Sequence, residues 1–294
     1  MQSDAVARSL ELASLCVARG SLYALIAAGF ALVFGAGRVL NLFHGSFFLL
    51  GAYGAYMAAA SGLGGSSAGA RLLADAVVAG GVGLVALGYY YLVLRPSAAS
   101  WLRLVTTGLA SNLLVAEVFR AYYGTRSAYV PSVVGGTVQI GPVTILAQEV
   151  VVTAVAAALL AALGWFLTRS LWGGAIRAVA QDVVGARLVG INPTVTLAIT
   201  VALSGALAGL AGALAAPMRI VRPDMWSFAL LKALTVVIVG GIGSLRGTCV
   251  AAYSLGAIEV LTTAWLGETA AELAGVLIAV AVLTVRPRGV VTDA

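Results

Sequence analysis

The chain has 294 residues, of which 61% are hydrophobic and only 10% are charged. A soluble domain carries about 25% charged residues, so this composition excludes an ordinary soluble protein and indicates a chain that crosses a membrane several times. The net charge of +6 comes from arginines scattered between apolar stretches. That pattern is typical of topology determinants and not of a nucleic-acid-binding surface.

Uncharged windows predict the membrane-spanning helices. The start, MQSDAVARS, lacks the features of a cleaved signal peptide, so we expect the first span to be retained and to begin after Arg19. The predicted spans are 20–37, 39–60, 76–94, 104–116, 150–168, 194–216, 228–245, 247–264 and 271–285. A straight span needs roughly 20 residues. The last three windows are shorter, and a re-entrant segment around Gly240–Gly247 would lower the count. The predicted fold class is therefore all-α, a polytopic membrane bundle of eight or nine transmembrane helices in one domain over residues 1–294.

Basic residues predict the orientation of this bundle, because cytosolic loops carry an excess of lysine and arginine. If residues 169–192 lie inside, alternation puts nine arginines inside: Arg38, Arg95, Arg103, Arg169, Arg177, Arg187, Arg246, Arg286 and Arg288. The other side receives six: Arg8, Arg71, Arg120, Arg126, Arg219 and Arg222. This excess predicts an amino terminus outside and a carboxy terminus inside.

The longest outer segment is predicted at residues 117–149. In its second half, Val138 and Ile140 alternate with polar neighbours before a Gly-Pro turn, and Val143 and Ile145 follow that turn. Alternation on both sides of a turn is typical of a β-hairpin. We therefore expect a small hairpin that covers the outer face of the bundle.

Residues 169–192 form a polar island between two long uncharged segments. Apolar residues recur there at helical spacing on one face: Ile176, Val179, Ala180, Val183 and Val184. Arg177, Gln181 and Gly185 lie on the opposite face, so the pattern predicts a helix over 175–190 whose apolar face is seated on the bundle. Two interpretations stay open. The island is either a cytosolic docking surface or a loop that positive charge holds at the membrane interface.

Several function classes lack the residues that they need. Lys232 is the only lysine and has no phosphate-loop context, and His44 is the only histidine, so this chain supplies neither an ATP site of that type nor a multi-histidine metal site. Ser204 lies in ALSG, without the first glycine of the intramembrane-protease GxSG pattern. Apart from Glu259 in a short window, no carboxylate lies deep inside a predicted span, which argues against a proton-coupled carrier.

Polar and glycine positions near the span ends are candidates for a translocation path. Asn41 and His44 begin the second span, either as a helix cap and an interfacial histidine or as neutral hydrogen-bonding groups on the path. Residues 236–247 place four glycines at a span boundary, as a plain turn or as a broken helix that lines a cavity. The candidate set is Asn41, His44, Gly45, Ser204, Gly240 and Gly241.

Small residues predict close contacts between helices. The chain contains 36 glycines, and residues 202–217 repeat small residues at four-residue intervals. Gly205 with Gly209 and Ala208 with Gly212 follow the small-xxx-small pattern, which lets helix backbones approach each other in lipid. We expect this stretch to be a packing face.

Taken together, these segments resemble one family, the H-type permease subunit of branched-chain amino-acid ABC importers. The similar segments, in the family's order, are SLYALIAAGFALVFGAGRVLNLFHGSFFLLGAY, AIRAVAQDVVGARLVGIN, LSGALAGLAGAL, LKALTVVIVGGIGSLRGTCVAAYSLGAIE and VRPRGVV. Ribose-type permeases share the later loop and the VxGG segment, whereas the stretch from Asn41 to Tyr53 favours the amino-acid branch. Arg246 departs from the family, which often has a proline before the position of Gly247.

The resemblance implies an ATP-driven importer in a bacterial or archaeal inner membrane. This multi-pass chain would contact lipid, a second, M-type permease, two ATP-binding subunits and an outer solute-binding protein, but no nucleic acid. It would not be an enzyme and would hold no cofactor, because the partner subunits bind ATP. The outer segment 117–149 would help to receive the binding protein.

The same resemblance implies that the cytosolic segment 169–192 couples transport to ATP hydrolysis. The candidate coupling residues are Arg177, Gln181, Asp182, Gly185, Arg187 and Gly190. Leucine, isoleucine and valine are the implied cargo, and urea, short amides or aromatic acids are the alternatives. From other classes, a polytopic membrane enzyme and a proton-coupled carrier remain as rivals.

Overall fold

A computed structural model describes residues 2–37, 39–63, 65, 67–124, 128–140, 143–241 and 243–286 of the chain. The helices are α1 (Gln2–Gly37), α2 (His44–Ala60), α3 (Ala68–Tyr89), α4 (Arg95–Ser97), α5 (Trp101–Tyr123), α6 (Ala147–Arg169), α7 (Leu171–Gln181), α8 (Val183–Leu188), α9 (Pro193–Ala215), α10 (Met225–Gly240), α11 (Leu245–Leu266) and α12 (Glu268–Val285). A π-helical turn, Tyr90–Leu94, joins α3 to α4. Strands β1 (Thr137–Ile140) and β2 (Val143–Leu146) lie between α5 and α6.

The predicted all-α bundle of eight or nine helices is confirmed. Among the described residues, seven helical stretches are long and apolar enough to span a membrane, and Met225–Gly240 is a shorter apolar helix. Helix α2 has 17 residues, and ten of them are buried. Every predicted window therefore lies mostly within a helix, although the helix bounds differ from the bounds of the windows. Helix α1 begins at Gln2 and not after Arg19, and α5 continues to Tyr123.

Helices α1, α2 and α9 form the centre of the bundle. Helix α1 packs against α6, α9, α10 and α11, while α2 packs against α3, α9 and α10. Tyr23, Phe47, Phe48 and Tyr53 are among the largest fully buried side chains. A helix that is apolar around its whole circumference is buried on all sides, and α2 fits that rule because the other helices enclose it.

Backbone contacts between α2 and α9 confirm the predicted packing face. A Cβ atom on Gly51 would overlap the carbonyl oxygen of Gly209, and one on Gly212 would overlap the carbonyl oxygen of Phe48. On the neighbouring side, a Cβ on Gly205 would overlap Ala86 of α3. These glycines are required because the facing backbones leave no room for a side chain.

The loops gather at two ends of the bundle. We call the first the hairpin end, because strands β1 and β2 pair there with Val138 opposite Ile145 and Ile140 opposite Val143. This confirms the predicted hairpin, although its Gly141–Pro142 turn lies outside the described residues. The second end carries α7 and α8, and we call it the coupling end. The predicted alternation agrees with this arrangement at the described positions, whereas Arg38, Arg126 and Arg288 lie outside them.

Within the segment predicted at 117–149, the non-helical stretch is shorter, because α5 ends at Tyr123 and α6 begins at Ala147. It is nevertheless fastened to the bundle. Ala128 and Val221 exchange backbone hydrogen bonds of 3.2 and 3.0 Å. The buried Gln148 side chain accepts from Val133 N at 2.9 Å and donates to the carbonyl of Leu214 at 3.2 Å.

The α2–α9 contact predicts a sharp difference between two glycine substitutions. Gly212→Val should destabilise the folded subunit by about 1–3 kcal/mol or more, because the added atoms overlap the α2 backbone. Gly80→Val on α3 is the matched control, since a Cβ there meets nothing within 4 Å. Thermal unfolding of the detergent-purified subunits measures both. Equal unfolding temperatures for the two variants would contradict the proposed role of the α2–α9 contact.

Candidate functional site

The segment predicted as one helix over 175–190 consists of two helices, so that prediction was wrong. Asp182 interrupts the helix with an extended backbone, and its carboxylate accepts a hydrogen bond of 2.8 Å from Val184 N. An aspartate that caps a new helix competes with continuation of the preceding one. Ser170 caps α7 in the same way, by accepting from Gly173 N at 2.8 Å. Each short helix therefore has its own amino-terminal cap.

The break at Asp182 also changes which side chains are buried. Ile176 and Val179 are buried against the bundle, as the helical spacing predicts. Val183 and Val184 are 42% and 66% exposed, so their predicted place on the seated face was wrong. Because α8 starts afresh after the break, it does not continue the buried face of α7. The described structure leaves an exposed apolar surface on α8 and the following turn: Val183, Val184, Leu188 and Val189.

The candidate coupling residues lie together around this surface. Five of them are exposed and Gly185 is half-buried; the exposed ones are Arg177, Gln181, Asp182, Arg187 and Gly190. The Arg177 guanidinium donates to the carbonyl oxygen of Leu167, which fastens α7 to the last turns of α6. Below α7 is a cavity of about 110 Å³ between α1, α6 and the start of α11. The segment is thus structured and largely accessible.

Two of the candidate path residues meet at the centre of the bundle. His44 Nε2 lies 3.0 Å from the carbonyl oxygen of Ile26, and His44 Nδ1 lies 3.2 Å from Ser204 Oγ. Because a carbonyl only accepts, we assign the ring proton to Nε2 and let Nδ1 accept from the Ser204 hydroxyl. A neutral His44 therefore links α1, α2 and α9. In this conformation both residues are fully buried and satisfied.

Asn41 does not cap α2, contrary to the interpretation of Asn41 as its helix cap. The N-cap is Phe43, and the Asn41 amide is 2% exposed with no hydrogen-bond partner in the described part of the chain. Asn112 of α5 instead holds this end of α2. It accepts from Ser46 N at 3.1 Å and donates to the carbonyl of Leu42 at 2.7 Å. Nothing in the local sequence around Asn112 signals this role.

The glycine candidates lie at close backbone contacts and at a turn. A Cβ on Gly45 would overlap the carbonyl oxygen of Trp226, and one on Gly240 would lie 2.5 Å from that of Gly247. Gly241 has a φ of 99°, which a side chain disfavours, and it begins the turn from α10 to α11. None of the six candidate path residues lines the cavity of about 780 Å³ beside α10.

A buried charged cluster between α1, α10 and α11 was missed as a site. Glu259 lies inside the continuous helix α11 and is 6% exposed. Its Oε2 accepts from Lys232 Nζ and from Tyr23 Oη, both at 2.8 Å. Arg19 Nη1 lies 3.9 Å from Oε1. The only lysine of the chain, placed in an apolar helix, was the sequence signal that pointed to this cluster.

Lys232 also lines a cavity of about 780 Å³ that extends along α10 from the loop before it at the hairpin end. Its charged and polar lining residues are Arg19, Arg219, Arg222, Asp224, Ser227, Lys232, Thr235 and Glu268. Apolar walls come from Met218, Ile220, Met225, Phe228, Leu231 and Val276. Arg222 forms a salt bridge with Asp224, and its hydrogen bonds lower the pKa of the Asp224 carboxyl. The Arg219 guanidinium stacks 3.8 Å from the centre of the Phe228 ring.

The protein is a multi-helix membrane bundle with a structured segment at one end and a charged cavity that opens towards the other. This is the organisation of a membrane transport protein. The chain belongs to the family described as the permease component of branched-chain amino acid transport systems, whose sequence profile matches residues 12–285. The family resemblance seen in the sequence is thereby confirmed. The chain is accordingly a multi-pass transport permease of the cell membrane.

Individual relatives agree with this membership. The chain is 30% identical to the high-affinity branched-chain amino acid transport system permease protein LivH of Escherichia coli, over 93% of this chain and 92% of the relative. It is 27% identical to the corresponding protein BraD of Pseudomonas aeruginosa, over 92% of each. The fructose import permease protein FrcC of Rhizobium meliloti is 30% identical, but over only 52% of this chain and 44% of that protein. No solved structure matches the chain.

Proposed function

We propose that this chain is a membrane-spanning subunit of an ATP-driven importer for leucine, isoleucine and valine. The observation that carries the proposal is similarity to LivH along nearly the whole length of both chains. The match to the fructose permease covers about half of each chain, so a sugar cargo has weaker support. Urea, short amides and aromatic acids remain alternative cargoes, because Arg246 departs from the usual pattern of the amino-acid branch.

The proposed assembly contains a second, M-type permease, two ATP-binding subunits and a solute-binding protein. In it, the hairpin end faces outwards and the coupling end faces the cytosol, as the arginine distribution favours. The binding protein then delivers cargo near the outer segment 117–149. ATP is bound by the partner subunits, so this chain contributes no cofactor. The proposed location is a bacterial or archaeal inner membrane.

Coupling in this assembly depends on α7 and α8. ATP binding closes the two ATPase subunits, and their movement is transmitted to the bundle through a segment docked on them. The exposed valines Val183 and Val184 supply an apolar contact, while Gln181, Asp182 and Arg187 supply polar contacts around it. The buried Ile176 and Val179 join α7 to the bundle, so that displacement of the segment moves the membrane helices.

Transport by the complete complex tests the proposed function. The four kinds of subunit, reconstituted in liposomes with the binding protein outside, should take up leucine only with hydrolysable ATP inside. Isoleucine and valine should compete for this uptake, whereas fructose and urea should not. Uptake that continues without ATP but stops when a proton gradient is collapsed would refute the proposal and support a proton-coupled carrier.

A single charge on α8 tests the docking role. Val184→Asp should reduce co-purification of the ATPase subunits and leucine uptake by about tenfold or more, because an unpaired carboxylate buried at an interface costs several kcal/mol. The isolated subunit should keep its unfolding temperature, since Val184 is exposed. Val138→Asp in the hairpin is the matched control for co-purification of the ATPase subunits, because Val138 is exposed at the opposite end. Unchanged co-purification with Val184→Asp would contradict the docking role and indicate that α8 only connects two helices at the membrane interface.

A further inference from the structure

The cavity beside α10 has the size of a small-molecule site. Its volume of about 780 Å³ lies within the range of about 300–1,000 Å³ that is usual for such sites. Its apolar walls and charged groups suit a solute that is itself part apolar and part charged. A helix rises about 1.5 Å per residue, so Lys232 lies roughly 10 Å along α10 from Met225. Its ammonium nitrogen lies 5.7 Å from the centre of the Phe228 ring, which the Arg219 guanidinium also covers.

The charged groups that line the cavity, together with Glu259 beside it, leave an excess of one positive charge: Arg19, Arg219, Arg222 and Lys232 against Asp224, Glu259 and Glu268. Arg19 and Lys232 both lie close to Glu259, so two cations surround a single buried carboxylate. At the cavity mouth, Arg222 is already paired with Asp224. In a poorly hydrated site, an unbalanced charge favours a ligand of the opposite sign. A bound carboxylate would neutralise the group formed by Arg19, Lys232 and Glu259.

The ammonium group of Lys232 is held in a position from which it can contact a bound carboxylate. Lysine has three N–H donors, and the bond to Glu259 uses one of them. The Tyr23 hydroxyl donates to the same oxygen of Glu259, which fixes that carboxylate between α1 and α10. Without this anchor, the long Lys232 stem would lose rotamer entropy on binding a ligand. Glu259 and Tyr23 thus act as positioning residues for Lys232.

We propose that this cavity binds a small solute with a carboxylate head and an apolar body, and that Lys232 contacts the carboxylate. The apolar body lies against Phe228, Leu231 and Val276. The use of leucine as the probe rests on the proposed function, but the carboxylate site does not require transport. Binding and uptake are therefore measured separately.

Protection of an introduced cysteine measures occupancy of the cavity. The assembled complex carries Ser227→Cys, which lines the cavity, on a background with Cys16 and Cys249 replaced by alanine. Leucine should slow its reaction with a neutral maleimide, whereas leucinamide, which lacks the carboxylate, should not slow it at the same concentration. Ser61→Cys, exposed at the hairpin end outside the cavity lining, should react equally under all conditions.

Substitutions at Lys232 test which side chain of the protein contacts the carboxylate of the bound solute. Lys232→Met alone would leave Glu259 without its nearest cation and could unfold the subunit, so it is combined with Glu259→Gln. This double variant should raise the half-protecting leucine concentration by about 10- to 100-fold, as expected for loss of a hydrogen bond to a charged group. Lys232→Arg keeps the charge and should remain within about tenfold of the parent. Arg103→Met is the control for loss of a positive charge away from the cavity, because Arg103 is exposed at the coupling end.

The outcomes separate this proposal from the proposed function. Equal protection by leucine and leucinamide, or unchanged protection in the double variant, would overturn the carboxylate site. Absence of protection in a complex that imports leucine would also overturn it and leave the proposed function intact. Protection by leucine in a complex that does not import leucine would support the site and contradict the proposed cargo.

Discussion

The close approach of α2 and α9 is the constraint on which the rest of the bundle depends. Gly51 and Gly212 allow the two backbones to touch, and this places His44 where it contacts both Ser204 and the backbone of α1. The same burial of α2 places Gly45 directly against α10. Helix α10 is therefore held at a fixed distance from the centre, and it carries Lys232 into contact with α1 and α11. A bulky residue at the glycine contacts would displace the charged cluster as well.

Two kinds of buried polar group have different physical roles in this chain. The neutral groups around His44 and Asn112 join helices through hydrogen bonds, and they need no water once satisfied. The charged cluster around Glu259 is costly to bury, because each charge loses its hydration. Such a cost is tolerated where the charge acts on a ligand. The neutral groups thus stabilise the packing of the helices, whereas the charged cluster is suited to a ligand-binding site.

Much of the fold could be predicted because its signals are local. Uncharged windows marked the helices, alternation around a turn marked the hairpin, and small residues marked the α9 face. Helix bounds at Gln2 and Tyr123 were missed, since a helix can continue beyond the lipid. The break at Asp182 depends on competition between a cap and helix continuation, which the apolar periodicity alone does not resolve. Pairing of Lys232 with Glu259 joins separate helices, so only the fold reveals it.

The proposed coupling mechanism depends on which side of the membrane each end of the bundle occupies, and cysteine labelling tests this most directly. Tyr129 and Gln181 are exposed at the hairpin end and the coupling end, respectively. With Cys16 and Cys249 replaced, an impermeant thiol reagent outside intact spheroplasts should label Tyr129→Cys, while Gln181→Cys should react only in inverted vesicles. Labelling of Gln181→Cys from outside, with Tyr129→Cys protected, would place the coupling segment away from the cytosol and contradict the account.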